Sequence, residues 1–106
     1  MRGKMNEEYL VHYWQMPEEL FINLNPDFHE KFCNIIGEKT NDNHKNCFHK
    51  ILNCPKWHAQ RLFTQFTRFT IKELENLRKF AQISEQEIEK NIICIGNHED
   101  GAFIKN

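Results

Sequence analysis

Apolar residues along this chain recur mostly at spacings of three and four. Leu10, Tyr13 and Trp14 share one helical face over 6–15, until Pro17 disfavours helix at Met16. Leu20, Ile22 and Leu24 then alternate with Glu19, Phe21 and Asn23, the period of two that marks a short strand or an extended arm. Asn25-Pro26-Asp27 starts a helix, with Asn as cap and Pro at the first helical position. Its apolar side is Phe28, Phe32, Ile35 and Ile36, and Gly37 is its expected stop. A polar loop leads to a helix over 44–52 with Phe48, Ile51 and Leu52 as its stripe. Asn53-Cys54-Pro55 breaks the chain: Asn tolerates the left-handed conformation of a tight turn, and Pro suits the start of the next helix. That helix, over 55–65, turns Ala59, Leu62 and Phe63 inward. Residues 66–69 read as a loop pinned by aromatics. Thr70-Ile71-Lys72-Glu73 is a capping box that opens a helix with Leu74, Leu77 and Phe80. Ser84-Glu85-Gln86-Glu87 is a second box, opening a helix with Ile88, Ile92 and Ile93.

The expected fold is therefore mainly all-α, a five-helix bundle with an N-terminal arm. Ala102, Phe103 and Ile104 leave room for a short two-stranded β pairing of the chain ends against Leu20 to Leu24. The expected organisation is an N-terminal helix and extended arm over 1–24, a helical domain over 25–97, and a linker or short strand over 98–106 leading to a further domain. A chain of 106 residues suits one core, and 40% hydrophobic residues are enough to build it. Nine Phe against four Gly and three Pro favour helices over a many-stranded sandwich. No apolar run approaches the ~18 residues of a membrane span. The basic start, Met1 to Asn6, lacks the apolar stretch of a secretory signal. A cytoplasmic setting, no membrane contact and reduced thiols for the four Cys follow as expectations.

Charge changes the picture more than its sum of −1 suggests. Residues 43–72 carry Lys45, Lys50, Lys56, Arg61, Arg68 and Lys72 with His44, His49 and His58, and no Asp or Glu. A local positive face attracts phosphates even on a near-neutral protein. Two short helices joined by a tight turn, at 44–52 and 55–65, form a helix-turn-helix, whose second helix lies in the major groove. Its candidate base-reading residues are Lys56, Trp57, His58, Gln60 and Arg61. Lys and Arg match the guanine edge, Gln matches adenine, and His donates to base or phosphate. Lys45 and Lys50 before the turn, with Arg68 and Lys72 beyond, are candidates for the phosphates.

Leu52-Asn53-Cys54-Pro55-Lys56-Trp57 sits where repressor-type (Cro-like) helix-turn-helix domains have their turn and recognition helix. Ile83 to Ile95 followed by Gly101 to Asn106 resembles the closing segment of helix-turn-helix domains that precede LAGLIDADG homing endonuclease domains in archaea. The likeness covers 25–106. It implies a module that binds double-stranded DNA and catalyses nothing, as part of a homing endonuclease or a transcriptional repressor. No LAGLIDADG motif occurs in the chain, so nuclease activity would belong to a domain absent from it. The modest number of cations calls for a homodimer or a covalently attached nuclease domain to add affinity, and no cofactor is expected.

Other readings compete for the same residues. Cys47, Cys54 and His58 could join a zinc site, but no Cys-x-x-Cys pair exists and six residues separate the two Cys. A Cys54–His58 nucleophile lacks an oxyanion donor. Glu85, Glu87 and Glu89 look like paired carboxylates but read as the first turn of the second capped helix, where acids complement the dipole. Phe63, Phe66 and Phe69 are either core or a stacking platform for single strands. The aromatic face Tyr9, Tyr13 and Trp14 would serve the alternative function, a helical protein-interaction module without nucleic-acid binding.

Overall fold

The computed structural model describes residues 11–41 and 46–99. Asn25 opens helix α1 (Pro26–Lys39) as the capping pattern predicts: its side-chain oxygen accepts from the N–H of Asp27 at 2.8 Å and of Phe28 at 3.3 Å. Phe28, Phe32, Cys33 and Ile36 form its buried face. Gly37 does not end it. Gly37 is buried within the helix, and the chain turns at Asn41, which is left-handed at φ 63°, after Thr40 donates its hydroxyl back to the Ile36 carbonyl at 2.9 Å.

Helix α2 (Cys47–Leu52) ends at Asn53 with φ 54° and ψ 44°, the left-handed turn expected there. Helix α3 (Lys56–Phe63) follows, with Ala59 and Leu62 buried. Thr70 and Glu73 complete both halves of a capping box for α4 (Ile71–Ala81). Its buried face is Ile71, Leu74, Leu77 and Ala81, so Phe80 lies outside. Ser84 then caps the short α5 (Glu85–Glu89).

The mainly all-α expectation is overturned by a three-stranded antiparallel sheet. Of the described residues 55% are helical and 14% are strand, an α+β fold with five helices. Strand β1 (Phe21–Leu24) is the alternating segment of the arm, and it lies in the centre. Its partners are not the chain ends. On one side β2 (Phe69–Thr70) sets Phe69 against Ile22 and Thr70 against Phe21, within the segment read as an aromatic loop. On the other, β3 (Ile92–Gly96) sets Ile95 against Ile22 and Cys94 against Asn23, where the isoleucine spacing predicts helix. Helix α5 stops at Glu89 because Ile92 to Ile95 are mostly β-branched and β1 supplies the ladder they need. Residues 102–104, assigned to the end pairing, lie outside the described residues.

The core forms between the sheet and α1, α2 and α4. Phe69 is its hub, 2% exposed, with Phe32 edge-on at 6.2 Å from α1, Phe48 tilted at 5.8 Å from α2, and His29 stacked at 5.4 Å. Burial holds His29 below the usual imidazole pKa, so the ring is neutral and bonds to the Phe63 carbonyl at 2.9 Å through Nε2. Ahead of the sheet a single 3-10 turn, Tyr13–Gln15, replaces the longer helix expected over 6–15, of which residues 6–10 lie outside the described set. Tyr13 is fully buried, and its hydroxyl donates to Glu75 Oε2. Arg78 clasps the same carboxylate with Nε and Nη2, each at 3.0 Å, and reaches the Ile83 carbonyl with Nη1 at 2.8 Å. His12 stacks on Trp14 at 4.3 Å and meets Glu89 at 2.9 Å.

Among the described residues no helix is long and apolar enough to cross a membrane.

Candidate nucleic-acid interface

Helix α3 leaves the turn at Asn53 with Ala59 and Leu62 facing the core, which sends Trp57, Gln60, Arg61 and Thr64 outward at spacings of three and four. Trp57 is 63% exposed, an unusual state for the largest side chain. Lys56 beside it is also exposed, as is Lys50 on α2.

The polar members of this stripe are held in place. Gln60, half-buried, donates from Nε2 to Asn46 Oδ1 at 2.8 Å, which orients its amide. A bidentate grip on adenine needs both amide ends, so Gln60 cannot make it without giving up Asn46. Arg61 Nε donates to Thr67 Oγ1 at 3.1 Å, and its guanidinium lies 5.8 Å from the centre of the Phe66 ring. Both terminal nitrogens of Arg61 remain without a partner among the described residues.

The rest of the predicted site separates from this face. His58, expected on the reading side, turns toward α4 and meets Glu73 Oε2 at 2.7 Å; the other Glu73 oxygen accepts the Thr70 N–H. A carboxylate that anchors both a cap and an imidazole keeps His58 from the outer face. Arg68 is half-buried along the sheet: its Nε is buried without a hydrogen-bond partner among the described residues, and its backbone N–H donates to the Glu99 carbonyl at 2.8 Å. Lys72 borders a separate cleft with Trp14, Glu18, Glu75, Lys79 and Glu85, three of them acidic. Lys45 lies outside the described residues. The structure thus brings together Lys56, Trp57, Gln60 and Arg61.

Sequence reasoning missed Thr64 in this group, and it set Phe66 with Phe63 and Phe69 rather than beside Arg61. Thr64 had a signal, since it continues the spacing of Trp57, Gln60 and Arg61. Phe66 stands beside Arg61 because Gln65 adopts φ 65° and the chain doubles back, so that the Phe66 N–H bonds to the Arg61 carbonyl at 2.9 Å. The three Phe of the supposed platform have three different fates. Phe69 is core, Phe63 is half-buried against Phe48 at 5.7 Å, and Phe66 is 47% exposed.

The thiols offer little chemistry. None of the four Cys forms a disulfide, and burial, aided by the Glu73 charge, pushes the Cys54 thiol up and away from the reactive thiolate. Burial does the same to Cys33 more strongly. Cys47 is buried and His58 is engaged by Glu73, so the three residues of the zinc reading do not converge, and no group of three or more potential ligands forms among the described residues. The interaction face fares no better: Tyr13 is fully buried, Trp14 half-buried, and Tyr9 lies outside the described residues. No protein-family model, no curated protein and no solved structure matches the chain.

Proposed function

We propose that the chain binds double-stranded DNA through α3, as a recognition module for a larger assembly such as a homing endonuclease or a repressor. The observation that carries this reading is the outward stripe of Lys56, Trp57, Gln60 and Arg61 on the second helix of a tight helix–turn–helix corner. No Asp or Glu occurs between Asn46 and Lys72, so no carboxylate of this segment opposes a phosphate. Lys50 and Lys56 flank the duplex backbone in this arrangement, and the free end of Arg61 reaches a base edge or a phosphate.

Selection from a randomised duplex pool at low salt tests it, and the expected result is enrichment of one short site. Three phosphate-directed cations predict a slope of log K against log salt of about −3. A pool that shows no enrichment and no retention at low salt refutes the reading.

A further inference from the structure

A cleft of about 380 Å³ lies between α1 and the end of α3. Its polar groups turn their donors into the protein. His29, 5% exposed, donates from Nε2 to the Phe63 carbonyl at 2.9 Å. As a neutral ring it has only the Nδ1 lone pair left, which has no partner among the described residues. Thr64 gives its hydroxyl hydrogen to the Gln60 carbonyl at 2.9 Å and keeps an acceptor oxygen. Gln65 turns Nε2 to the Leu24 carbonyl at 3.4 Å, which leaves Oε1 as the other end of its amide. The backbone is spent in the same way. Pro26 has no N–H, Asp27 and Phe28 donate to Asn25 Oδ1, and His29 donates to the Asn25 carbonyl at 2.8 Å, so the start of α1 offers an anion nothing. The Asp27 and Glu30 side chains are exposed along the cleft without an ion-pair partner among the described residues, and no Lys or Arg lines it. Only Asn34 adds an uncommitted amide. Nor do three of these side chains converge as metal ligands would, among the described residues.

We infer that the cleft is a binding site for a primary alkylammonium group, the chemistry of a lysine side chain or of a free aliphatic amine. An ammonium brings three donors and a positive charge, and the cleft supplies what such a group lacks. His29 Nδ1, Thr64 Oγ1 and Gln65 Oε1 are its acceptors, Asp27 and Glu30 supply the countercharge, and Phe63 gives the carbon stem an apolar wall. The site stands apart from the DNA-binding reading: its acids lie on α1, and it shares only Thr64 with the outward stripe of α3.

Titration of the ¹⁵N-labelled full chain at neutral pH and low salt, followed by amide chemical shifts, tests it. n-Butylammonium should give saturable shifts confined to 26–34 and 63–65, and butyrate none. Butyltrimethylammonium, with the same charge and stem but no N–H, should bind about tenfold more weakly. Glu30→Gln, an exposed change that leaves the fold intact, should weaken n-butylammonium about threefold. A blocked lysine tripeptide separates the two sources: tighter binding than the free amine supports a polypeptide ligand, and weaker binding supports a small amine. Absence of saturable shifts, equal binding of the two cations, or an unchanged affinity in Glu30→Gln overturns the site, and none of these results touches duplex binding.

Discussion

Tyr13 places a phenol in the core with its hydroxyl on a carboxylate, and this makes a measurable demand on pH. Burial first, then the hydrogen bond to Glu75, pushes the Tyr13 pKa well above its ordinary value. A group whose folded pKa is raised adds stability that is fully present below the unfolded pKa, near 10 for tyrosine, and is lost as pH rises beyond it. The loss is about 0.4 kcal/mol at pH 10 and about 1.4 kcal/mol at pH 11, and it grows by about 1.4 kcal/mol per further unit until the folded pKa is reached. Tyr13→Phe removes the titrating group and keeps the ring. At neutral pH its cost is one hydrogen bond to a charged acceptor, about 1.5–2 kcal/mol, at the lower end because Arg78 still satisfies Glu75. Urea denaturation of both proteins at pH 8 to 11 by far-ultraviolet circular dichroism separates the effects, since lysine and cysteine titrations are common to the two. The gap between them should shrink by more than half from pH 8 to pH 11. Parallel curves across that range would refute the buried Tyr13–Glu75 bond.

Other consequences are testable on the same protein. His29 behaves in the opposite sense: burial lowers its pKa, so its contribution is present above about pH 6.5 and lost on acidification. His29→Gln, which retains a donor for the Phe63 carbonyl, should flatten the fall in urea midpoint between pH 7 and pH 5. Phe69→Ala opens the hub of the core and should cost about 3–5 kcal/mol, read from the shift in urea midpoint. At the left-handed turn, Asn53→Val should cost about 1–2 kcal/mol in thermal denaturation while Asn53→Gly leaves stability the same or slightly higher. On a selected DNA site Arg61→Ala should cost about 1–3 kcal/mol if the guanidinium reads a base. An equal loss on random DNA, with the salt slope reduced by about one, would reassign it to a phosphate.

What was legible from the sequence is what neighbouring residues decide. Asn25 with Pro26, Thr70 with Glu73, and Asn53 at its turn each carry their conformational cause within four positions, and each element stands where its signal puts it. Strand β3 was illegible because Ile88, Ile92 and Ile93 fit a helical face as well as Ile92 to Ile95 fit a strand. The choice is made by β1, a segment far off in the chain. The pair Phe80 and Ala81 shows the same limit on a smaller scale: one position of helical phase decides which is buried, and hydrophobicity favours the wrong one. For the site, the outward stripe on α3 was readable from its spacing. The turning of His58 to Glu73 depends on how α3 packs on α4, and the tying of Gln60 to Asn46 on where the end of the preceding loop lies.

The central position of β1 has a consequence for how this protein is made. Ile22 leaves the ribosome well before its partner Ile95, and Phe69 lies between them in order of synthesis. The loop closed by β1 and β3 spans most of the chain, and such distant pairings form late and slowly. Until Ile95 clears the exit tunnel, one edge of β1 stays unpaired while α1 to α4 already have their local contacts. A chain released short of β3 would keep that edge open for other molecules, so holding factors or rapid completion of translation should matter more to its yield than the strength of any single helix.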